Sequence, residues 1–394
     1  MSTGFSLELT PVSDLGKLGG SNFLQSRFWA VHKSRFGWQP YGFCCTWNES
    51  PEPLYLLVLV RQFRLGLALA YVPHGPDAVQ WRPCFLSAEK AGLTPGQVLQ
   101  ALGTQLAAFL PKGVFCVRFD PNWPQDFLIS HDPDDLLSST PLSSTPLSGQ
   151  GEQLSASMSA HAYSLDLSPL KKAGFDVQPP DTVLVDLRPD KGDILSSMKS
   201  KHRYNIRLAQ KKGVNIQVFS LDNEDFFPEL DHWYQLYGET ARRDGITIHS
   251  RNYYRNVFQA AQASHEVKVY LLQAFHEQDY IAGIIIALTP KRATYVYGAS
   301  SNLKRNLMPA YALQWRAMEL AKEQGAVEYD LFGIPPTSDP NHPMFGLYQF
   351  KTGFGGRKVH YPGSWDHRTR LFMYFFYTWA EKIRKIGIIL RKKK

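Results

Sequence analysis

Residues 94–120, TPGQVLQALGTQLAAFLPKGVFCVRFD, set a helix directly before a strand. Thr94 can cap the helix, Pro95 suits the first turn because its missing N–H has no helical partner there, and Pro111 stands just past Leu110. A helix is therefore expected over residues 94–110. The run VFCVRF predicts a strand over 114–119, which delivers Arg118 and Asp120 to its C-terminal end before Pro121. Outward from here the pattern recurs. Residues 22–38 read as a short helix, capped by Ser21 or Asn22, closed by Gly37 and carrying Lys33. Residues 54–60 and 65–71 read as strands, with the turn-rich PHGPD at 73–77. Strands and helices alternating in this way predict an α/β or α+β layered fold.

Downstream, residues 132–157 contain the repeat SSTPLSSTPLS, too polar and too proline-rich to order itself, and are expected to form a flexible insertion. A strand restarts over 174–187 after Pro179-Pro180, which marks a domain crossing. Residues 193–213, DILSSMKSKHRYNIRLAQKKG, predict one helix of about five turns from a cap at Asp193 to a stop at Gly213. Lys199, Arg203, Arg207 and Lys211 then fall at successive i,i+4 positions, and no Asp or Glu lies between Ile194 and Leu221. Like charges at that spacing repel, so the ridge suits an anion from outside, a phosphate backbone or a diphosphate; a solvated basic face is the alternative. A helix over 233–243 ends in Arg242 and Arg243. Two strands flank a turn at 276–279, and a third over 293–298 alternates so that Tyr295 and Tyr297 are expected on one side. A helix over 306–323 and a strand over 327–332, carrying Asp330, complete the second half.

That half leads into residues 344–356, MFGLYQFKTGFGG, where Lys351 is the one charge among Tyr348, Phe350 and Phe354. A partly desolvated ammonium stabilises a developing oxyanion more than the same charge in water. The alternative is that the aromatics pack while the lysine reaches solvent. Residues 371–390, LFMYFFYTWAEKIRKIGIIL, precede RKKK and suggest either a helix lying on anionic lipid or one packed on the body with a solvated basic tail.

The net charge of +8 points to a polyanionic partner. Four cysteines form neither a disulfide scaffold nor a zinc spacing, and a reducing cytosol is expected. The first residues lack a basic start with an apolar core, and no uncharged run reaches the roughly 20 residues that span a bilayer. There is no P-loop, dinucleotide fingerprint, HExxH, GxSxG or glycine-rich acyl-CoA pyrophosphate loop, and the histidines are scattered. No metal site is expected.

FLQSRFWAVHK at 23–33, YVPHGP at 71–76, VRFDP at 117–121, QPPDTVLVDL at 178–187 and RYNIRLAQKKGV at 203–214 are followed by YVYGAS at 295–300, YDLFGI at 329–334 and LYQFKTGFGG at 347–356. In that order, along nearly the whole chain, they resemble the Fem family of aminoacyltransferases, which build the interpeptide bridge of peptidoglycan. The resemblance implies two tandem acetyltransferase-like (GNAT-like) domains around one cleft. Residues 1–178 would form the first and 179–360 the second, with 361–394 returning to the first. It implies transfer of an amino acid from aminoacyl-tRNA to an amine of the precursor's stem peptide, lipid-linked or nucleotide-linked, without a cofactor. The expected enzyme is a cytoplasmic monomer at the inner face of the membrane. Lys351 falls at the position that stabilises the tetrahedral intermediate, with Phe350 beside it. Lys33 and Arg243 fall near the precursor's phosphates, Tyr295, Tyr297 and Tyr348 in the cleft, and Phe115 where some relatives carry a tyrosine. Asp120 and Asp330, at strand ends, are the available bases. A CoA-dependent N-acyltransferase of the same double fold and a non-enzymatic RNA- or membrane-binding protein are the alternatives.

Overall fold

The computed structural model describes residues 4–48, 52–124, 128 and 165–392; the serine-proline stretch at 132–157 lies outside the described residues. Among these, the first sheet takes β1 (Leu7–Val12), β2 (Gln39–Trp47), β3 (Leu54–Gln62), β4 (Ala68–Pro73), β5 (Val114–Asp120) and β6 (Lys171–Lys172). The second takes β7 (Asp181–Asp186), β8 (Asn215–Phe219), β9 (Lys268–His276), β10 (Asp279–Leu288), β11 (Arg292–Ser300), β12 (Glu328–Asp330) and β13 (Arg357–His360). The chain then returns to the first sheet, where β14 (Trp365–Arg368) inserts between β5 and β6. The orders are β1-β2-β3-β4-β5-β14-β6 and β13-β7-β12-β11-β10-β9-β8. Helices α1 (Arg27–Ser34), α2 (Ala78–Lys90) and α3 (Pro95–Phe109) belong to the first half. The second half holds α4 (Lys191–Ser197), α5 (Ser200–Lys211), α6 (Phe226–Asp244), α7 (Arg251–Ser264), α8 (Pro309–Glu323) and α9 (Phe345–Thr352), and α10 (Leu371–Lys392) follows β14.

Each sheet is antiparallel except at one pair, β4 with β5 and β11 with β12. A parallel pair needs a crossover, supplied by α2 and α3 in one half and by α8 in the other. Residues 94–120 make the first crossover and its strand. Thr94 and Gln97 cap α3 reciprocally, and every residue of β5 is buried between β4 and β14. Asp120 and Asp330 therefore end the second strand of the two parallel pairs.

The halves share a core. Phe28, Trp29 and Leu57 of the first pack in one cluster with Trp233, Tyr253, Val257 and Ile285 of the second. A continuous apolar interface of this kind holds two domains in one orientation.

Three expectations need correction. The helix of residues 22–38 starts later, since Asn22 caps only a short 3-10 turn and Ser26 caps α1. Residues 193–213 are two helices. The hydroxyls of Ser196 and Ser197 bond back to the carbonyls of Asp193 and Ile194 at 2.8 Å each, and Met198 and Lys199 are extended. Serine competing for backbone carbonyls ends a helix. Arg203 closes the break by donating to the carbonyls of Ser196 and Met198. Tyr295 and Tyr297 do not share a face. The β10–β11 register slips between Ile285 and Ile286, so that Tyr295 lies opposite Ile286, Tyr297 opposite Ile285, and Val296 is the extra residue of a bulge. Tyr295 consequently packs on the α8 side and Tyr297 on the side of α1, α6 and α7. Several elements carried no expectation at all, among them α2, α7, β1, β2 and β8.

Candidate functional site

Lys351 lies in the last turn of α9 and is 7% exposed. Its Nζ donates to the carbonyls of Phe332 at 2.8 Å and Gly333 at 2.9 Å, and sits 5.1 Å from the centre of the Tyr295 ring. Burial lowers its pKa to about 7, against the opposing influence of Asp330. An ammonium has three N–H bonds. Two are taken, which leaves one without a hydrogen-bond acceptor among the described residues. The lysine does not reach out to solvent.

Local sequence explains how this cradle forms. Phe332 adopts a positive φ of 54°, turning the chain just past β12. Asp330 braces that turn, its Oδ1 accepting from the Phe332 N–H at 2.8 Å and the Thr182 hydroxyl at 2.5 Å. On the other side, His202 Nε2 donates to the Phe350 carbonyl at 2.8 Å, and burial lowers the His202 pKa, keeping the ring neutral. A Cβ at Gly353 would lie 1.8 Å from that ring, so only glycine fits there. The Lys199 N–H donates to the Gly353 carbonyl at 2.9 Å. The break between α4 and α5 thus holds the lysine motif in place.

A line of contacts runs from Lys351 across the domain boundary. Gly333 lies against Pro179, whose Cγ is 2.8 Å from where a Cβ would stand. The next residue back, Gln178, donates its N–H to Asp120 Oδ2 at 3.1 Å, and the same oxygen accepts the Tyr71 hydroxyl at 2.8 Å. Burial raises the Asp120 pKa to about 6, while those two hydrogen bonds pull it down. Tyr71 lies 6.1 Å from Trp38. Trp38 in turn carries Lys33 Nζ at 5.8 Å and the Arg61 guanidinium at 5.5 Å. Lys33 is also 5.2 Å from Trp29 and 5.6 Å from Tyr253, and its pKa falls to about 8, first through burial and then through Arg61. Among the described residues no carboxylate pairs with it. A cation caged by aromatic faces without a counterion suits an anionic ligand.

The other expected residues are dispersed. Arg243 forks its own neighbour Asp244 at 2.8 and 3.2 Å and donates to the Ser300 carbonyl at 2.8 Å. Tyr297 packs edge-on to Tyr254 at 5.1 Å. Tyr348 is half-buried, stacked on Phe345, with Lys358 at 3.3 Å from its hydroxyl. Phe350 turns into the cluster of Tyr311 and Phe354. Phe115, expected in the cleft, is fully buried and packs on Tyr377 of α10, so as placed it meets no ligand. Of the basic ridge, Lys199, Arg207 and Lys211 are exposed, whereas Arg203 is occupied by backbone. A groove of about 500 Å³ at the β8–β9 edge, between Leu221, Phe258 and Tyr270, contains none of these residues.

Residues 17–273 and 260–382 match the model of the FemAB family, covering almost the whole chain and including Lys351. The chain belongs to the FemAB family. It is 23% identical over 250 residues to the lipid II:glycine glycyltransferase of Staphylococcus saprophyticus and 21% over 255 residues to that of Staphylococcus aureus. Each alignment covers 48% of this chain and 59% of the relative, so this FemAB chain matches somewhat over half of their length. FemX, a solved structure, is similar over 94% of this chain and 100% of its own, with a TM-score of 0.68 and 18% identity. That likeness shows that the two share a fold, the two-sheet α/β architecture described above.

Several residues around Lys33 and Lys351 carry no local signal in the sequence. Arg61 sits in the strand run LVRQ, and nothing local marks it as a partner of Lys33. Tyr253 lies in the unforeseen α7. The carbonyls that hold Lys351 are backbone and carry no side-chain signal, although Asp330 two residues before Phe332 was a hint.

Proposed function

We propose that this FemAB chain is an aminoacyltransferase that joins an aminoacyl group to an amine on the stem peptide of a peptidoglycan precursor, extending an interpeptide bridge. The donor is aminoacyl-tRNA. The observation that carries the reading is the buried Lys351 cation with one N–H to spare; family membership and the lipid II:glycine glycyltransferase relatives support the substrate class.

The amine attacks the ester carbonyl, a C–N bond forms and the carbonyl oxygen becomes an oxyanion. Lys351 donates its remaining N–H to that oxygen. The C–O bond to the ribose then breaks, and the proton lost by the amine ends on the leaving ribose oxygen. An aminoacyl ester is already activated, so alignment and charge stabilisation suffice and no cofactor enters. Asp330 positions the Phe332 turn, and Asp120 positions Tyr71 and the Gln178 linker. Lys33 and Arg61 hold the phosphates of the precursor beside Trp38.

Exposed Arg207 and Lys211, with Lys199 at the head of α5, offer phosphate contacts to the tRNA. Arg207→Gln with Lys211→Gln is expected to weaken aminoacyl-tRNA binding and to lower the salt slope by roughly one to two, measured by filter binding across a salt series. An unchanged slope would place the tRNA elsewhere.

The decisive test is transfer of label from a pool of charged tRNAs to lipid-linked and nucleotide-linked muropeptide, with uncharged tRNA plus free amino acid as control. Ester-dependent product is expected, its mass identifying the amino acid. No product on either acceptor would sink the proposal and favour a CoA-dependent acyl transfer.

A further inference from the structure

Among its described side chains, helix α10 is held by one side. Tyr374 packs with Leu69 and Phe115 and donates its hydroxyl to Asp366 at 2.9 Å, Tyr377 lies 4.9 Å from Phe115, and Glu381 faces Arg118 at 3.7 Å. The opposite side presents Phe372, Phe375, Phe376, Trp379 and Ile383, between 49% and 68% exposed. Their spacing of three and four residues sets them on one stripe. A contiguous aromatic stripe on a surface helix is rare unless something covers it.

The charge pattern decides what the cover is. From Leu371 onward the sequence has one acid, Glu381, and seven cations at Lys382, Arg384, Lys385 and 391–394. Glu381 already faces Arg118. The same segment of a second copy carries the same excess of cations and no acid beyond Glu381 to answer it. A bilayer with anionic headgroups offers both what the stripe lacks and what the charges attract: an apolar boundary for the rings and phosphates for the cations. Among the described residues no helix is long and apolar enough to cross a membrane.

We propose that α10 lies flat in the surface of an anionic bilayer, with Phe372, Phe375, Phe376, Trp379 and Ile383 sunk into the acyl boundary. This docking does not depend on the role given to Lys351, but it would bring that site to a lipid-linked acceptor. The helix is anchored on β5 and β14 through Tyr374, Tyr377 and Glu381, so it sets the angle at which the whole molecule meets the membrane.

The test is flotation of the full chain with vesicles of phosphatidylcholine alone or mixed with phosphatidylglycerol, neither holding a precursor. Binding is expected only to the mixed vesicles and is expected to fall with added salt. Phe372→Ser/Phe376→Ser/Trp379→Ser should reduce it by roughly tenfold or more, with the single variants between, while the melting temperature holds because these rings support nothing beneath them. Equal flotation of wild type and triple variant, or no flotation of the wild type, overturns the proposal. So does a lipid-free dimer that the triple variant abolishes, which would make a second copy the cover. Activity on a water-soluble acceptor separates the two proposals: it should survive the triple variant, and its absence in the wild type would count against the acyl-transfer reading alone.

Discussion

Lys351→Met is expected to lose about 10²–10³ in kcat/KM and to melt no lower than the wild type. The loss follows from geometry. Two of the three N–H bonds are fixed on the Phe332 and Gly333 carbonyls, so the third is held in place before the oxyanion forms. Methionine keeps the unbranched shape and removes the charge. The unchanged or raised melting temperature follows from burial, because a folded-state pKa of about 7 against 10.5 means that the charged form is disfavoured by on the order of a few kcal/mol. Below about pH 7 that cost is present in full. Between about pH 7 and 10.5 the unfolded state binds the proton that the folded state does not, so this group's contribution to stability rises with pH across that window. The gap in melting temperature between variant and wild type should therefore narrow on raising the pH.

The same titration separates two chemical roles. If the ammonium stabilises the oxyanion, the ratio of wild-type to Lys351→Met kcat/KM is largest below about pH 7 and declines above it. If the neutral amine acted as a base, the ratio would grow with pH instead. Taking the ratio cancels the titration of the acceptor amine, which is common to both enzymes. A ratio near one at every pH, on a verified substrate, would remove Lys351 from the chemistry.

What the sequence made legible, and what it did not, divides along the range of the interactions. The α3–β5 unit was readable because its cap, its prolines and its apolar run are all local, and local signals need no knowledge of the partner strand. Lys351 was readable as a lone charge among aromatics, but its depth was not, since it depends on two carbonyls 18 and 19 residues earlier. The facing of Tyr295 and Tyr297 failed because a bulge at Val296 is set by the register against β10, and strict alternation cannot foresee it. The single helix over 193–213 failed for a local reason that was visible: two adjacent serines. Arg203 shows the cost of that miss, because as a ridge cation it would meet an external anion, whereas in the fold it satisfies the end of α4. Arg118 and Asp366 lie 248 residues apart, and no pattern within either stretch pairs them.

Arg118→Met is expected to destabilise the protein by about 3–5 kcal/mol, the usual scale for stranding one partner of a buried ion pair. Arg118 is fully buried on β5, directly opposite Asp366 on β14, and grips it with Nε at 2.7 Å and Nη2 at 2.9 Å. Without the cation, Asp366 keeps, among the described residues, the Tyr374 hydroxyl at 2.9 Å and the weakly donating Cys116 thiol, and a carboxylate with no exposed surface is left under-solvated. Its strand is the one that returns from the second sheet to complete the first, so the damage should be regional: β14 and α10 loosen while the second sheet stays folded. Hydrogen exchange should show faster exchange at residues 365–381 with little change across β9–β11. Arg118→Met/Asp366→Asn should recover a large part of the loss, because it removes the orphaned charge and keeps an acceptor for Tyr374. If the single variant lost less than about 1 kcal/mol, the pair would be behaving like an exposed salt bridge, and the attachment of α10 would rest on Tyr374 and Tyr377 packing on Phe115 instead.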